Sequence, residues 1–223
     1  MIISETRRFV FIHNPKCGGT TVRAALMPFE TVNNFFWLMC ERDGVQIDKA
    51  HMPMHVFRRL FPDYFSLLAT SFVFMLVRDP YERAVSAFNE THKALLAATL
   101  EEEEQEAKRR KYIAALNGFI TKMIPVNLGG WQFNYRHFVR QRDMAYLGPK
   151  KMVDCVVKLD DLTRSSRQLD VFDAALRPAL LAAPEKNARV GSMAAREVLS
   201  EASVKKINEL YRDDFYLFEY DMW

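Results

Sequence analysis

Apolar positions along the chain fall into two kinds of run. Phe9-Val10-Phe11-Ile12, Ser71-Phe72-Val73-Phe74-Met75-Leu76-Val77 and Met152-Val153-Asp154-Cys155-Val156-Val157-Lys158-Leu159 are short and nearly continuous. That is what strands covered on both faces of a parallel sheet require. Between them the spacing turns helical. An Ala/Leu-rich helix ends near Leu26, and a short helix lies within His51–Pro62, with Pro53 near its first turn, Pro62 just past its end and His51 before it. Asp79 caps a helix with Pro80 at its first position, and Tyr81, Ala84, Val85 and Phe88 form its apolar stripe. Ser86 falls off that stripe, on the face with Glu82 and Arg83.

Further on, the pattern predicts a charged-then-apolar helix from Leu100 to Met123 and a helix from Leu162 to about Leu176. Ser200 caps another through Val204, Ile207, Leu210 and Tyr211. Residues 28–50 yield only a turn at Asp43-Gly44, and Phe215–Tyr220 is too aromatic for a free tail. Strands alternating with helices predict an α/β fold with a central, mostly parallel sheet flanked by helices, binding its ligand beyond the carboxyl ends of the strands. The 223 residues suit one domain, 1–223.

A net charge of +3 demands neither nucleic acid nor a membrane surface as partner, while suiting an anionic ligand. The three scattered cysteines, Cys17, Cys40 and Cys155, argue against a disulfide framework or a C-x-x-C metal site and for a reducing compartment. Met1–Arg8 runs into the first strand without an apolar signal region, and no run reaches about 18 apolar residues. The expectation is a cytoplasmic protein with no membrane span. The run Glu101–Glu104 followed by Lys108–Lys111 reads as a solvated helix face.

The first strand empties into His13-Asn14-Pro15-Lys16-Cys17-Gly18-Gly19-Thr20-Thr21. Gly18 and Gly19 turn without a Cβ penalty, so backbone N–H groups and a helix N-terminus converge on an anion. Thr20 and Thr21 add hydroxyls and Lys16 a mobile charge. The order differs from the nucleotide loop G-x-x-x-x-G-K-S/T, because here the lysine precedes the glycines.

P-K-C-G-G-T-T resembles the 5′-phosphosulfate loop of sulfotransferases that use 3′-phosphoadenosine-5′-phosphosulfate (PAPS), in particular the carbohydrate sulfotransferases of sulfotransferase family 2. Val77-Arg78-Asp79-Pro80-Tyr81-Glu82-Arg83-Ala84-Val85-Ser86-Ala87-Phe88 resembles their 3′-phosphate element, V-R-D/H-P-x-x-R-x-x-S-x-Y/F. There an arginine and a serine eight residues on hold the 3′-phosphate, here Arg78 and Ser86. Ile207–Tyr220 is similar to the closing I-x-x-x-Y-x-x-D-x-x-L-F-x-Y, to which we assign a packing role. Lys158-Leu159-Asp160-Asp161-Leu162 is similar to a strand-end pattern that usually carries glutamate at the Asp160 position. Residues 28–50 and 90–150 match little, and acceptor specificity is expected there.

The resemblance implies one P-loop-type domain, with loop 13–21 and element 77–88 around the donor. It implies transfer of a sulfuryl group, in line and without metal, to a hydroxyl of a carbohydrate or small-molecule acceptor, releasing adenosine 3′,5′-bisphosphate. Lys16, Cys17, Gly18, Gly19, Thr20 and Thr21 would line the 5′ side, and Lys16 would stabilise the leaving oxygen. Ala50-His51-Met52-Pro53 is similar to the family's G-H-x-x-x element, which makes His51 the base, with His55 as an alternative base or its support. Taken alone, a histidine at a helix start is more often a cap or packing residue. His13 is expected to orient the loop, and His92 and His137 have no special claim. Cys17 beside Lys16 is either a reactive thiol or, preferably, a small loop residue. Gln132 and Asn134 are candidate acceptor contacts, and Lys186, Asn187, Arg189 and Ser192 lie where the family places a late polar loop near the nucleotide or acceptor, at a spacing too loose to assign roles. The competing readings are an ATP-dependent P-loop phosphotransferase and a non-catalytic adenosine-bisphosphate-binding module.

Overall fold

The computed structural model describes residues 1–33, 35–92, 102–182 and 193–223, the side chains of 102–105 excepted. Glu101, the side chains of Glu102, Glu103 and Glu104, and Lys186, Asn187, Arg189 and Ser192 lie outside the described residues. In chain order the strands are β1 (Ile2–Ser4), β2 (Phe9–Ile12), β3 (Met39–Arg42), β4 (Val45–Asp48), β5 (Phe72–Val77), β6 (Tyr146–Leu147), β7 (Lys150–Lys151) and β8 (Cys155–Lys158). The helices are α1 (Gly19–Leu26), α2 (Met54–Leu60), α3 (Pro62–Ser66), α4 (Pro80–Thr91), α5 (Glu102–Lys122), α6 (Gln141–Ala145), α7 (Leu162–Ser165), α8 (Leu169–Phe172), α9 (Leu176–Ala182), α10 (Ala195–Val198), α11 (Glu201–Leu210) and α12 (Arg212–Phe218). They divide into two compact units, Met1–Arg78 with Asn127–Ala188, and Asp79–Val126 with Arg189–Trp223.

The first unit holds a four-stranded sheet of order β1-β2-β5-β8. The three strands expected from continuous apolar runs are its parallel core, with Ile12 opposite Met75 and Val77 opposite Lys158. β1 carries no such signal: it pairs antiparallel with β2 through a turn in which Arg8 takes φ 54°. Successive residues of β2, Phe9 to Ile12, are all at most 1% exposed, so both faces are covered. On one face Phe9, Phe11, Phe74 and Leu76 join Val22 and Leu26 of α1 and Leu176 and Leu180 of α9 in a single apolar cluster.

Residues 39–48, where the pattern marks only a turn, form the hairpin β3–β4, closed by Asp43 and Gly44 with φ of 52° and 73°. Two consecutive left-handed residues are what a tight hairpin turn needs. Pro62 ends α2 as expected and also opens α3, because a proline fits the first helical position. The helix expected from Leu162 to Leu176 is broken into α7, α8 and α9. Asp173 interrupts it, accepting from Arg7 Nε at 2.7 Å and Nη2 at 2.6 Å.

The second unit is helical among the described residues. Asp79 caps α4 as expected, accepting from the Tyr81 and Glu82 amides at 2.9 and 3.0 Å. Ser200 accepts from the Ser203 amide to start α11. Tyr81, Ala84, Val85 and Phe88 are buried as the stripe requires. Arg83 is a correction: placed by its spacing on the open face with Ser86, it is 1% exposed and pairs with fully buried Asp214 at 3.8 Å. Among the described residues no helix is long and apolar enough to cross a membrane.

Candidate active site

β2 and β5 are parallel neighbours, so the segments leaving their carboxyl ends are the His13–Gly18 loop and Arg78. The loop turns on two left-handed residues, Lys16 with φ 64° and Gly18 with φ 73°. At Gly18 a Cβ would also stand 3.0 Å from Leu159 Cδ1. Gly18 is the N-cap of α1 and offers no side chain to the helix, while its carbonyl accepts from the Thr21 and Val22 amides. The amides of Gly19 and Thr20 open the helix, where no preceding turn supplies an acceptor. A helix start of this form attracts an anion. Lys16 and Thr21 are half-buried and Thr20 is exposed, so the cation and the hydroxyls sit on the open side.

Cys17 is on the other side. It is 1% exposed, with its Sγ 3.1 Å from Asn14 Nδ2, 3.4 Å from Gln141 Oε1 and 3.5 Å from the Pro15 carbonyl. Its side chain therefore serves the interior, which removes the reactive-thiol reading and leaves only its backbone to the loop. Cys155 is equally inert, since burial pushes its thiol up to about 11.

His13 is 4% exposed and explains the second glycine. A Cβ on Gly19 would fall 1.8 Å from His13 Nε2, so any larger residue displaces the ring or the helix start. The same ring stacks on Trp37 at 5.5 Å and meets His51 edge-on at 4.5 Å. Burial pushes its pKa well below 6.5, with His51 adding to the shift, so His13 stays neutral. The loop-orienting role expected of it agrees with these contacts.

His51 lies in a short 3-10 turn, Lys49–His51, and its Nδ1 is 3.1 Å from the His13 carbonyl oxygen. A carbonyl only accepts, so Nδ1 carries the proton and Nε2 carries the lone pair. Burial lowers the His51 pKa from 6.5, while Asp48 pulls it upward and Lys16 pushes it down. A neutral imidazole with a fixed tautomer and a carboxylate to balance its charged form is suited to taking a proton. The charge of Lys16, in the loop after β2, acts on this ring.

His137, for which the sequence makes no special claim, is brought to this cluster, with its ring 5.4 Å from that of His51. Donor atoms of Asp48, His51 and His137 lie within 4.8 Å of one another, so among the described residues they are the group that could hold a metal ion. Asp48 already accepts from the Ala50 amide at 3.0 Å and faces Arg136 Nε at 3.3 Å, and a guanidinium there opposes a cation. His55 moves the other way. It is exposed, its Nε2 lies 3.1 Å from the Gly129 carbonyl and its ring faces Trp131 at 6.1 Å, so it does not brace His51. Gln132 and Asn134 are exposed, and Gln132 accepts from Asn127 Nδ2 at 2.8 Å.

Arg78 follows β5, is the last residue of the first segment of the first unit and is half-buried. In the second unit, Ser86 is one of the few α4 positions not sealed, with Glu82 and Glu90 along the same strip. His92 caps that helix, 3.1 Å from the Phe88 carbonyl and stacked on the Phe88 ring.

Two buried amides escape sequence reasoning. Asn14, 1% exposed, donates to the Leu76 carbonyl at 2.9 Å and to Gln141 Oε1 at 3.0 Å. No periodicity marks either residue, because their partners are distant in the chain. The model of the sulfotransferase family matches residues 1–221 of the chain. No curated protein and no solved structure matches it.

Proposed function

The chain belongs to the sulfotransferase family, and from that premise we propose that it carries a sulfuryl group from PAPS to a hydroxyl of a carbohydrate or small-molecule acceptor. One observation carries the reading: an anion loop with left-handed Lys16 and Gly18 leaves β2, and Arg78 leaves the adjacent parallel strand β5.

The amides of Gly18, Gly19 and Thr20 with the hydroxyls of Thr20 and Thr21 would hold the 5′-phosphosulfate, and the Cys17 backbone would complete the loop. The resemblance gives the 3′-phosphate to Arg78 and Ser86, and an arginine fork suits a phosphate dianion. The donor supplies a sulfuryl group on a good phosphate leaving group. His51 Nε2 takes the acceptor hydroxyl proton as the new O–S bond forms. Lys16 faces the negative charge on the phosphate oxygen as the old S–O bond breaks. The products are a sulfate ester and adenosine 3′,5′-bisphosphate, and the scheme calls on no metal. The residues 1–221 that the family model matches draw on both units, which we read as one functional domain. Three free thiols suit a reducing, cytoplasmic setting.

Calorimetric titration without metal tests the donor class. Adenosine 3′,5′-bisphosphate is expected to bind more tightly than AMP or ATP, with the advantage lost in Arg78→Ala. Preference for ATP with magnesium, or indifference to Arg78, would return the chain to the phosphotransferase reading.

A further inference from the structure

We propose that Gln141 is a positioning residue that sets the 5′-phosphosulfate loop and the Arg78 end of β5 in one register. The inference rests on the donor assignment above and extends it to a residue outside both recognised motifs.

Gln141 is the first residue of α6, directly after extended Arg140, and is 0% exposed. An amide that deep costs stability unless its donors and acceptor are used. They are used on two elements at once. Oε1 accepts from Asn14 Nδ2 at 3.0 Å, and Asn14 is the second residue of the loop after β2. The same oxygen accepts from the Arg78 amide at 3.0 Å, and Nε2 donates to the Arg78 carbonyl at 2.9 Å. The orientation of the amide is self-determined: a backbone N–H can only donate and a carbonyl can only accept, so exchanging Oε1 and Nε2 would break both bonds to Arg78.

The reciprocal pair is what a neighbouring strand would offer, yet it falls one residue past Val77, where β5 has ended. It holds the φ and ψ of Arg78 and so aims the residue from which the guanidinium springs. Asn14 ties the loop to the same point, because its amide also donates to the Leu76 carbonyl at 2.9 Å. Ground that merely had to be filled would take a leucine or methionine of similar volume. A misplacement of a binding group by a fraction of an ångström is costly to function while leaving the fold intact.

The test is the ratio of affinities for adenosine 3′,5′-bisphosphate and AMP, measured by calorimetry on wild type, Gln141→Met, Gln141→Glu and Arg78→Ala. Gln141→Met keeps the volume and removes both polar atoms. Gln141→Glu keeps the oxygen acceptor and turns the donor into an oxygen facing a carbonyl. We expect the ratio to fall about tenfold in Gln141→Met and at least threefold in Gln141→Glu, with no further fall when Gln141→Met is added to Arg78→Ala. A loss of packing alone would weaken both nucleotides alike and leave the ratio unchanged. An unchanged ratio in a folded variant overturns the role of Gln141 while the donor assignment survives. A wild-type ratio near one overturns the donor assignment and this inference with it. Gln141→Glu decides the matter if Gln141→Met does not fold.

Discussion

A single carbonyl decides the chemistry available to His51. Because the His13 oxygen can only accept, it holds the proton on Nδ1 and leaves the lone pair on Nε2, as the proposed base requires. Replacing His51 by alanine is expected to lower kcat by about 10²–10⁴ while nucleotide affinity stays within about twofold, the range for loss of a general base. A non-catalytic nucleotide-binding module would show no turnover to lose. The environment also predicts the pH profile. With its pKa lowered from 6.5, His51 is already neutral at pH 7, so kcat/KM should be flat near neutrality and fall only in acid. Asp48 stabilises the charged ring, so Asp48→Asn should move the acid limb lower by about one pH unit. An acid limb that stays in place, or moves upward, contradicts the pairing. Asp48 and His137 could not be picked out from composition or spacing, since only the folded chain gathers them around His51.

Local rules account for most of the elements. Continuous apolar runs became the parallel strands, and Asp79 and Ser200 became caps, because the forces involved act within a few residues. Those rules failed where a distant partner intervened. Asp173 stops a helix because Arg7, 166 residues away, claims its carboxylate. Arg83 is the larger failure. By periodicity it faces outward, but Asp214 of α12 draws it inside, beneath Tyr211 at 5.1 Å. The pair joins the arginine of one recognised motif to the aspartate of another, which gives the closing pattern Ile207–Tyr220 a structural reason. Removing one partner leaves a buried charge, so Arg83→Met should cost about 3–5 kcal/mol in urea denaturation, and Arg83→Met with Asp214→Leu should recover much of it. A single-variant cost below about 1 kcal/mol would show that the pair is solvated.

For the whole molecule, the neutral histidines predict acid sensitivity well above the carboxylate range. Burial lowers the pKa of both His13 and His51, and lowers that of His13 further. In the unfolded chain both would titrate near 6.5, so below that pH the unfolded state takes up protons that the folded state refuses. Their contribution is therefore complete above about pH 6.5 and is lost as the pH falls beneath it, each tenfold loss of proton affinity on folding being worth roughly 1.4 kcal/mol. Melting temperature should drop between pH 7.5 and pH 5, and a flat profile over that window would falsify the neutral-cluster description. Asp173, held low by Arg7 against the effect of burial, adds its loss only below 3.8.

The sequence alone determined the α/β class, the parallel strands, the glycine turn after β2 and the family, because each is written in neighbouring residues: apolar runs, two adjacent glycines, a cap, an arginine after a strand. It also singled out Lys16, Arg78 and His51. Only the tertiary structure decided that Cys17 faces inward, that His55 turns to Gly129 and Trp131, and that His137 and Asp48 gather at His51. It alone showed Gln141 bonded both to Asn14, 127 residues earlier, and to Arg78. The reason is physical. A buried polar side chain is chosen by the partners that satisfy its hydrogen bonds, and those partners are set by how strands and helices pack, which no local pattern records.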